Sequence, residues 1–163
     1  VIRIIGIDPG SRVTGFGVID FNGSQEIYVD SGCIRVTGDS LAERLKVIFA
    51  GVDELLTLHK PDLACAESVF MHRNPGTAIK LGQARGAAIS AIGLRDIPLA
   101  EYTPAEIKKA IVGRGNADKE QVQYMVTMLL KLTRPPSNDA ADALACALFH
   151  YRIHRHKVQA ELK

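Results

Sequence analysis

A chain of 163 residues, 47% apolar and 23% charged, holds enough hydrophobic side chains for one ordinary domain and too many for a disordered segment. Its formal net charge of +2 selects no partner by itself. The charge is uneven, however: residues 1–102 hold 10 Lys/Arg and 12 Asp/Glu, whereas residues 103–163 hold 10 and 6. A basic C-terminal part is either ordinary surface or a field that steers phosphate.

Residues 2–8 are β-branched and apolar and then break at Pro9-Gly10, the pattern of a buried strand that ends in a tight turn. Strands are predicted at 14–19 and 26–35, with Asn22-Gly23 as the hairpin turn between them. Ser40, with Glu43 three residues on, forms a capping box, and Leu41, Leu45, Ile48, Val52, Leu55 and Leu56 recur at helical spacing. That helix ends near His59, because Pro61 disfavours helical geometry at Lys60. Residues 63–67 form a short apolar run, a buried parallel strand reached by the crossover helix. A Gly/Ala-rich helix follows at 75–95, a strand at 98–102 and a helix at 105–112, with Gly113-Arg114-Gly115 as a break. A helix at 119–132 buries Val122, Met125, Val126, Leu129 and Leu130. After Pro135-Pro136 the last helix is predicted at 139–151. This order is an α/β fold with a five-stranded mixed sheet flanked by helices. Residues 1–152 read as one domain and 153–163 as a basic, frayed tail.

No membrane segment is expected. A spanning helix needs about 20 predominantly apolar residues, and the most lipid-like stretch, residues 76–93, is interrupted by Lys80 and Arg85. Residues 1–7 are too short for a signal peptide and run straight into a turn. Cys33, Cys65 and Cys146 are odd in number, widely spaced and set among apolar residues, so they are expected to pack as small hydrophobes in a reducing, cytoplasmic compartment.

Four acids carry the chemistry. Asp8 closes the first strand and Glu67 closes the strand at 63–67. If those strands are parallel neighbours, about 4.8 Å apart, their carboxylates face one crevice at the carboxyl edge of the sheet, where open α/β sheets bind ligands. Asp139 and Asp142 lie three apart on a helix and share a face. Asp142 also shares its stripe with Ala145, Cys146 and Phe149, where an uncompensated charge costs several kcal/mol. Each acid taken alone has a plain structural reading: an Asx-turn for Asp8, a solvated strand end for Glu67, a helix-dipole partner for Asp139 and a buried structural acid for Asp142. Together they form an all-oxygen cluster that suits Mg²⁺, with Mn²⁺ as a substitute, and two such ions suit phosphodiester hydrolysis.

The motifs Gly-Ile-Asp-Pro-Gly-Ser-Arg (6–12), Ala-Glu-Ser-Val-Phe (66–70), Leu-Gly-Gln-Ala-Arg-Gly (81–86) and Asp-Ala-Ala-Asp-Ala-Leu-Ala (139–145), in this order along nearly the whole chain, resemble the RuvC Holliday-junction resolvases. The resemblance implies a ribonuclease-H-like fold, a homodimer and paired, Mg²⁺-dependent nicking of a four-way DNA junction in recombination and repair. It places the family's catalytic, metal-holding acids at Asp8, Glu67, Asp139 and Asp142, with two Mg²⁺ per subunit. It places the aromatic wedge at Phe70 and the phosphate-facing lysines at Lys108 and Lys119. Arg73 lies in the wedge loop and is expected to contact DNA as well. The dimer helix falls on Leu81, Gly82 and Gly86. The family's partner is the RuvA–RuvB branch-migration complex. The residues leave bland alternatives open: Phe70 tucked into the core, solvated lysines at 108 and 119, and Gly82 and Gly86 packed on the sheet. Three other functions compete: an actin-like ATPase, which needs a second domain; a nuclease of the same fold with another substrate; and a junction binder without catalysis.

Overall fold

The computed structural model describes residues 1–68 and 74–161, with side chains through Arg155. Three antiparallel strands come first: β1 (Ile2–Asp8), β2 (Val13–Asn22) and β3 (Gln25–Arg35). Then follow α1 (Leu41–His59), β4 (Leu63–Glu67), α2 (Pro75–Leu94), β5 (Leu99–Tyr102), α3 (Pro104–Val112), α4 (Lys119–Leu129) and α5 (Asn138–Glu161). The sheet order is β3-β2-β1-β4-β5, with β1, β4 and β5 parallel to one another. This is the five-stranded mixed sheet expected from the sequence.

Alternation along the strands divides the core in two. Ile4, Ile19 and Cys65 face α3, α4 and α5, where they meet Ile107, Val126, Leu144 and Leu148. Ile5, Ile7, Val18 and Ala64 face α1 and α2, where they meet Ile48, Val52, Ala84, Ala88 and Ile92. Among the described residues no helix is long and apolar enough to cross a membrane.

Several boundaries differ from those expected. The hairpin loop is Gly23-Ser24, one residue later than Asn22-Gly23, because Asn22 still pairs with Gln25. Gly23 supplies the positive φ, 64°, that the first loop position requires. Helix α4 stops three residues before Leu132: Lys131 turns left-handed (φ 54°), and its N–H and that of Leu132 close back on Met128 and Thr127. Helix α5 continues ten residues beyond Tyr151. No Gly or Pro follows to stop it, and it is anchored where the extra turns begin. The Tyr151 hydroxyl donates to the Gly23 carbonyl at 2.6 Å, and Arg152 donates to Ala110 at 3.2 Å and pairs with Glu26. Cys65 and Cys146 are buried as expected, but Cys33 is exposed. It lies on edge strand β3, and its Sγ contacts the Ser137 hydroxyl at 3.2 Å.

Candidate metal centre

Parallel pairing of β1 with β4 sets Ile7 against Ala66, so the next residues, Asp8 and Glu67, end their strands side by side. Both point to the face that carries Ile4 and Cys65, because side chains two apart share a face. Helix α5 lies on that face and brings Asp142 to them. Ligand oxygens of Asp8, Glu67 and Asp142 lie within 4.8 Å of one another. Asp139, one turn earlier on α5, is outside this group of three, but its charge acts on both Asp8 and Asp142. The structure thus unites three of the four acids directly and holds the fourth at the margin.

Helix α5 can come this close because the strands beneath it lack side chains. A Cβ at Gly6 would stand 2.1 Å from the Ala143 carbonyl oxygen, one at Gly15 2.1 Å from that of Asp139, and one at Gly17 2.6 Å from Leu144 Cγ. Gly6 pairs with Gly17, and Asp8 pairs with Gly15. The helix therefore rests on bare backbone beside Asp8. Sequence reasoning missed this seat, although Gly15 and Gly17, alternating in a strand, were its visible signal. At the N-terminus of α5, Ser137 accepts from the Ala140 N–H through its hydroxyl and from the Ala141 N–H through its carbonyl, which fixes the turn before Asp142.

Electrostatics mark the cluster as strained without a cation. Burial, then the charges of Glu67 and Asp142, a hydrogen bond with Glu67 and the charge of Asp139, hold the Asp8 carboxyl well above its ordinary range. Asp142 is pushed up to about 6, first by burial and then by Glu67 and Asp139, against the opposing pull of Lys119 and Lys108. Burial also raises Glu67, whereas its hydrogen bond with Asp8 and the charges of Lys108 and Lys119 lower it. The donor set is all carboxylate, with no Sγ or imidazole among its three members, which fits a hard divalent cation. The arrangement can hold a metal.

Lys108 lines the same crevice as Glu67 and Asp142. Lys119, the first residue of α4, acts on both acids through its charge. Phe70 and Arg73 lie outside the described residues. On α2, Leu81 is half-buried, while Gly82 and Gly86 are exposed and a Cβ at either would meet no described atom within 4 Å. Their open side faces away from the sheet, which α2 instead contacts through Ala84, Ala88, Ala91 and Ile92. Beside Glu67, its pairing partner Tyr102 makes a 2.6 Å hydrogen bond with His150 Nδ1, tying the end of β5 to α5.

Residues 4–150 match the family described as crossover junction endodeoxyribonuclease RuvC. The protein of that name from Alkalilimnicola ehrlichii is 53% identical over 161 residues, 99% of this chain and 96% of its own length. That from Pseudoalteromonas atlantica is 57% identical over 147 residues, 90% of this chain and 85% of its own. Among solved structures, T. thermophilus RuvC in complex with Holliday junction substrate superposes with a TM-score of 0.89 at 32% identity, covering 96% of this chain and 97% of that one. The yeast mitochondrial Holliday junction resolvase shares the fold, with a TM-score of 0.65 at 14% identity. The fold is the ribonuclease-H-like one that the motifs implied. On sequence and structure alike, the chain belongs to the RuvC family of crossover junction endodeoxyribonucleases.

Proposed function

We propose that this chain resolves four-way DNA junctions in recombination and repair by paired, Mg²⁺-dependent phosphodiester hydrolysis, acting as a single-domain homodimer in the cytoplasm. The observation that carries the reading is the convergence of Asp8, Glu67 and Asp142, from three separate elements, within 4.8 Å. Asp8 feels the charges of all three other acids, and with Glu67 and Asp142 it would hold the metal. Asp139, in the first turn of α5, would add a further carboxylate. When bound, Mg²⁺, two ions per subunit with Mn²⁺ as a substitute, activates water and stabilises the leaving oxygen.

The other residues position the DNA. Lys108 and Lys119 draw the cut strand's phosphates toward an acidic crevice that would otherwise repel them. Phe70 wedges against unstacked bases at the junction centre, and Arg73 contacts the adjoining backbone. The open face of α2, with Leu81, Gly82 and Gly86, permits close approach of the same helix in a second copy. A twofold dimer places two crevices on symmetric strands of a four-way junction. The RuvA–RuvB branch-migration complex is the partner that the family implies.

The deciding experiment is nicking of a mobile four-way junction against a linear duplex of the same sequence, with and without Mg²⁺. Symmetric nicks in the junction alone, dependent on Mg²⁺, are expected. Equal cutting of the duplex, or nicking in a chelator, overturns the proposal.

A further inference from the structure

The acidic crevice opens on the face covered by α5. At the same edge of the sheet, on the face covered by α1 and α2, lies a second concavity: a groove of about 720 Å³ between the turn after β1, the start of α1 and the first half of α2. Its walls carry three cations, Arg12, Arg44 and Lys80, against one carboxylate, Asp39. Arg12 and Lys80 are exposed, whereas Arg44 is half-buried. Arg44 is also a structural member of the turn that follows Asp8, since its guanidinium donates to the Ser11 carbonyl at 2.8 Å. The same turn is braced by Thr14, fully buried, whose hydroxyl bonds both the N–H and the carbonyl of Gly10. A cationic groove and the acid cluster are therefore joined by one short, rigid piece of backbone.

A site with several carboxylates at its centre repels a polyanion, so the substrate's affinity comes from cations around it. Lys108 and Lys119 provide these on the α3 and α4 side. We propose that the groove of Arg12, Arg44 and Lys80 is a second track for the phosphodiester backbone of the DNA substrate. A duplex arm leaving the crevice crosses the turn at residues 9–12 and lays its phosphates along this groove. Concave walls with an excess of one sign of charge concentrate the field, and guanidinium groups match phosphate geometry. This inference rests on the junction-cleaving function proposed above and extends its footprint to the opposite face of the sheet.

The test uses Arg12→Gln/Lys80→Gln. Both side chains are exposed, and Arg44 is left to hold Ser11. Binding of a fluorescent synthetic four-way junction is measured by anisotropy from 50 to 200 mM KCl in a chelator, for the wild type, the double variant and Lys60→Gln, a control at the far end of α1. The slope of log K against log salt is expected to fall by about two in the double variant, with binding about tenfold weaker at 50 mM salt. The control should keep the wild-type slope. An unchanged slope in the double variant overturns the groove, as does an equal loss in Lys60→Gln, which would mark a general charge effect. A wild-type protein that cuts duplex and junction alike would instead overturn the functional proposal, so the two failures are distinguishable.

Discussion

Gly15 lies directly beneath Asp139: a Cβ added there would stand 2.1 Å from the Asp139 carbonyl oxygen and 3.0 Å from its Cβ. Gly15 is also the β2 partner of Asp8, so one glycine touches the acid-bearing helix on one side and pairs with the acid-bearing strand on the other. Gly15→Ala must lift the first turn of α5. The expected result is a folded protein, destabilised by about 1–3 kcal/mol, with nicking reduced by at least tenfold and a higher Mg²⁺ concentration for half-maximal rate. Thermal melts and a Mg²⁺ titration of the nicking rate check this. A variant with wild-type Mg²⁺ dependence would show that the seat does not set the position of the acids.

Asp8→Asn removes one carboxylate of the cluster and keeps its shape. Nicking should be abolished, while junction binding in a chelator stays within about threefold of wild type. Because the metal-free cluster is strained by repulsion and burial, the variant should also melt higher than wild type without divalent ions. Side-by-side melts and a nicking assay decide it, and residual Mg²⁺-dependent cleavage would remove Asp8 from the proposed role.

Stability of the metal-free protein should fall as pH rises from about 4 to 7. Asp142 ordinarily titrates at 3.8 and is pushed up to about 6 in the fold. Between those values the folded state holds a proton that the unfolded chain has released, so unfolding becomes easier with each step in pH. Stability is fully present below the lower value and lost through the higher one, a loss of up to about 3 kcal/mol for this group. Asp8 and Glu67, shifted in the same direction, add to it. Melts against pH in a chelator should slope downward, and Mg²⁺ added at pH 7.5 should restore much of the loss. A flat profile would refute the strain.

Lys119→Ala should weaken junction binding and lower the salt slope by about one. It should also raise the pH at which nicking reaches half its maximum, since Lys119 helps to hold Glu67 and Asp142 ionised. A salt slope equal to wild type would count against contact with phosphate.

Much of this was legible in the sequence because it depended on local rules. The Ser40–Glu43 capping box formed as its residues dictate, and the strand 63–67 was found to the residue because apolar content and flanking breaks bounded it. Asp8 and Glu67 could be paired on paper because strand ends in parallel neighbours coincide. The depth at which α5 sits could not. It depends on the missing side chains of Gly6, Gly15 and Gly17, each of which reads as a plain weak strand residue until the helix is laid across them. The apolar stripe around Asp142 had already set it apart from Asp139, and only Asp142 enters the tight group. The helix runs on past Tyr151, where the sequence reading ended it; the contacts that Tyr151 and Arg152 make with Gly23, Glu26 and Ala110, distant in the chain, were not visible in sequence.

The acid cluster draws on residues 8, 67 and 142, contributed by the first strand, the fourth strand and the last helix. No fragment of a growing polypeptide that lacks the final helix can assemble it, and neither can a chain in which that helix has peeled away. On the proposed function, the capacity to cut DNA therefore arrives late in biosynthesis, only once the last helix has been made.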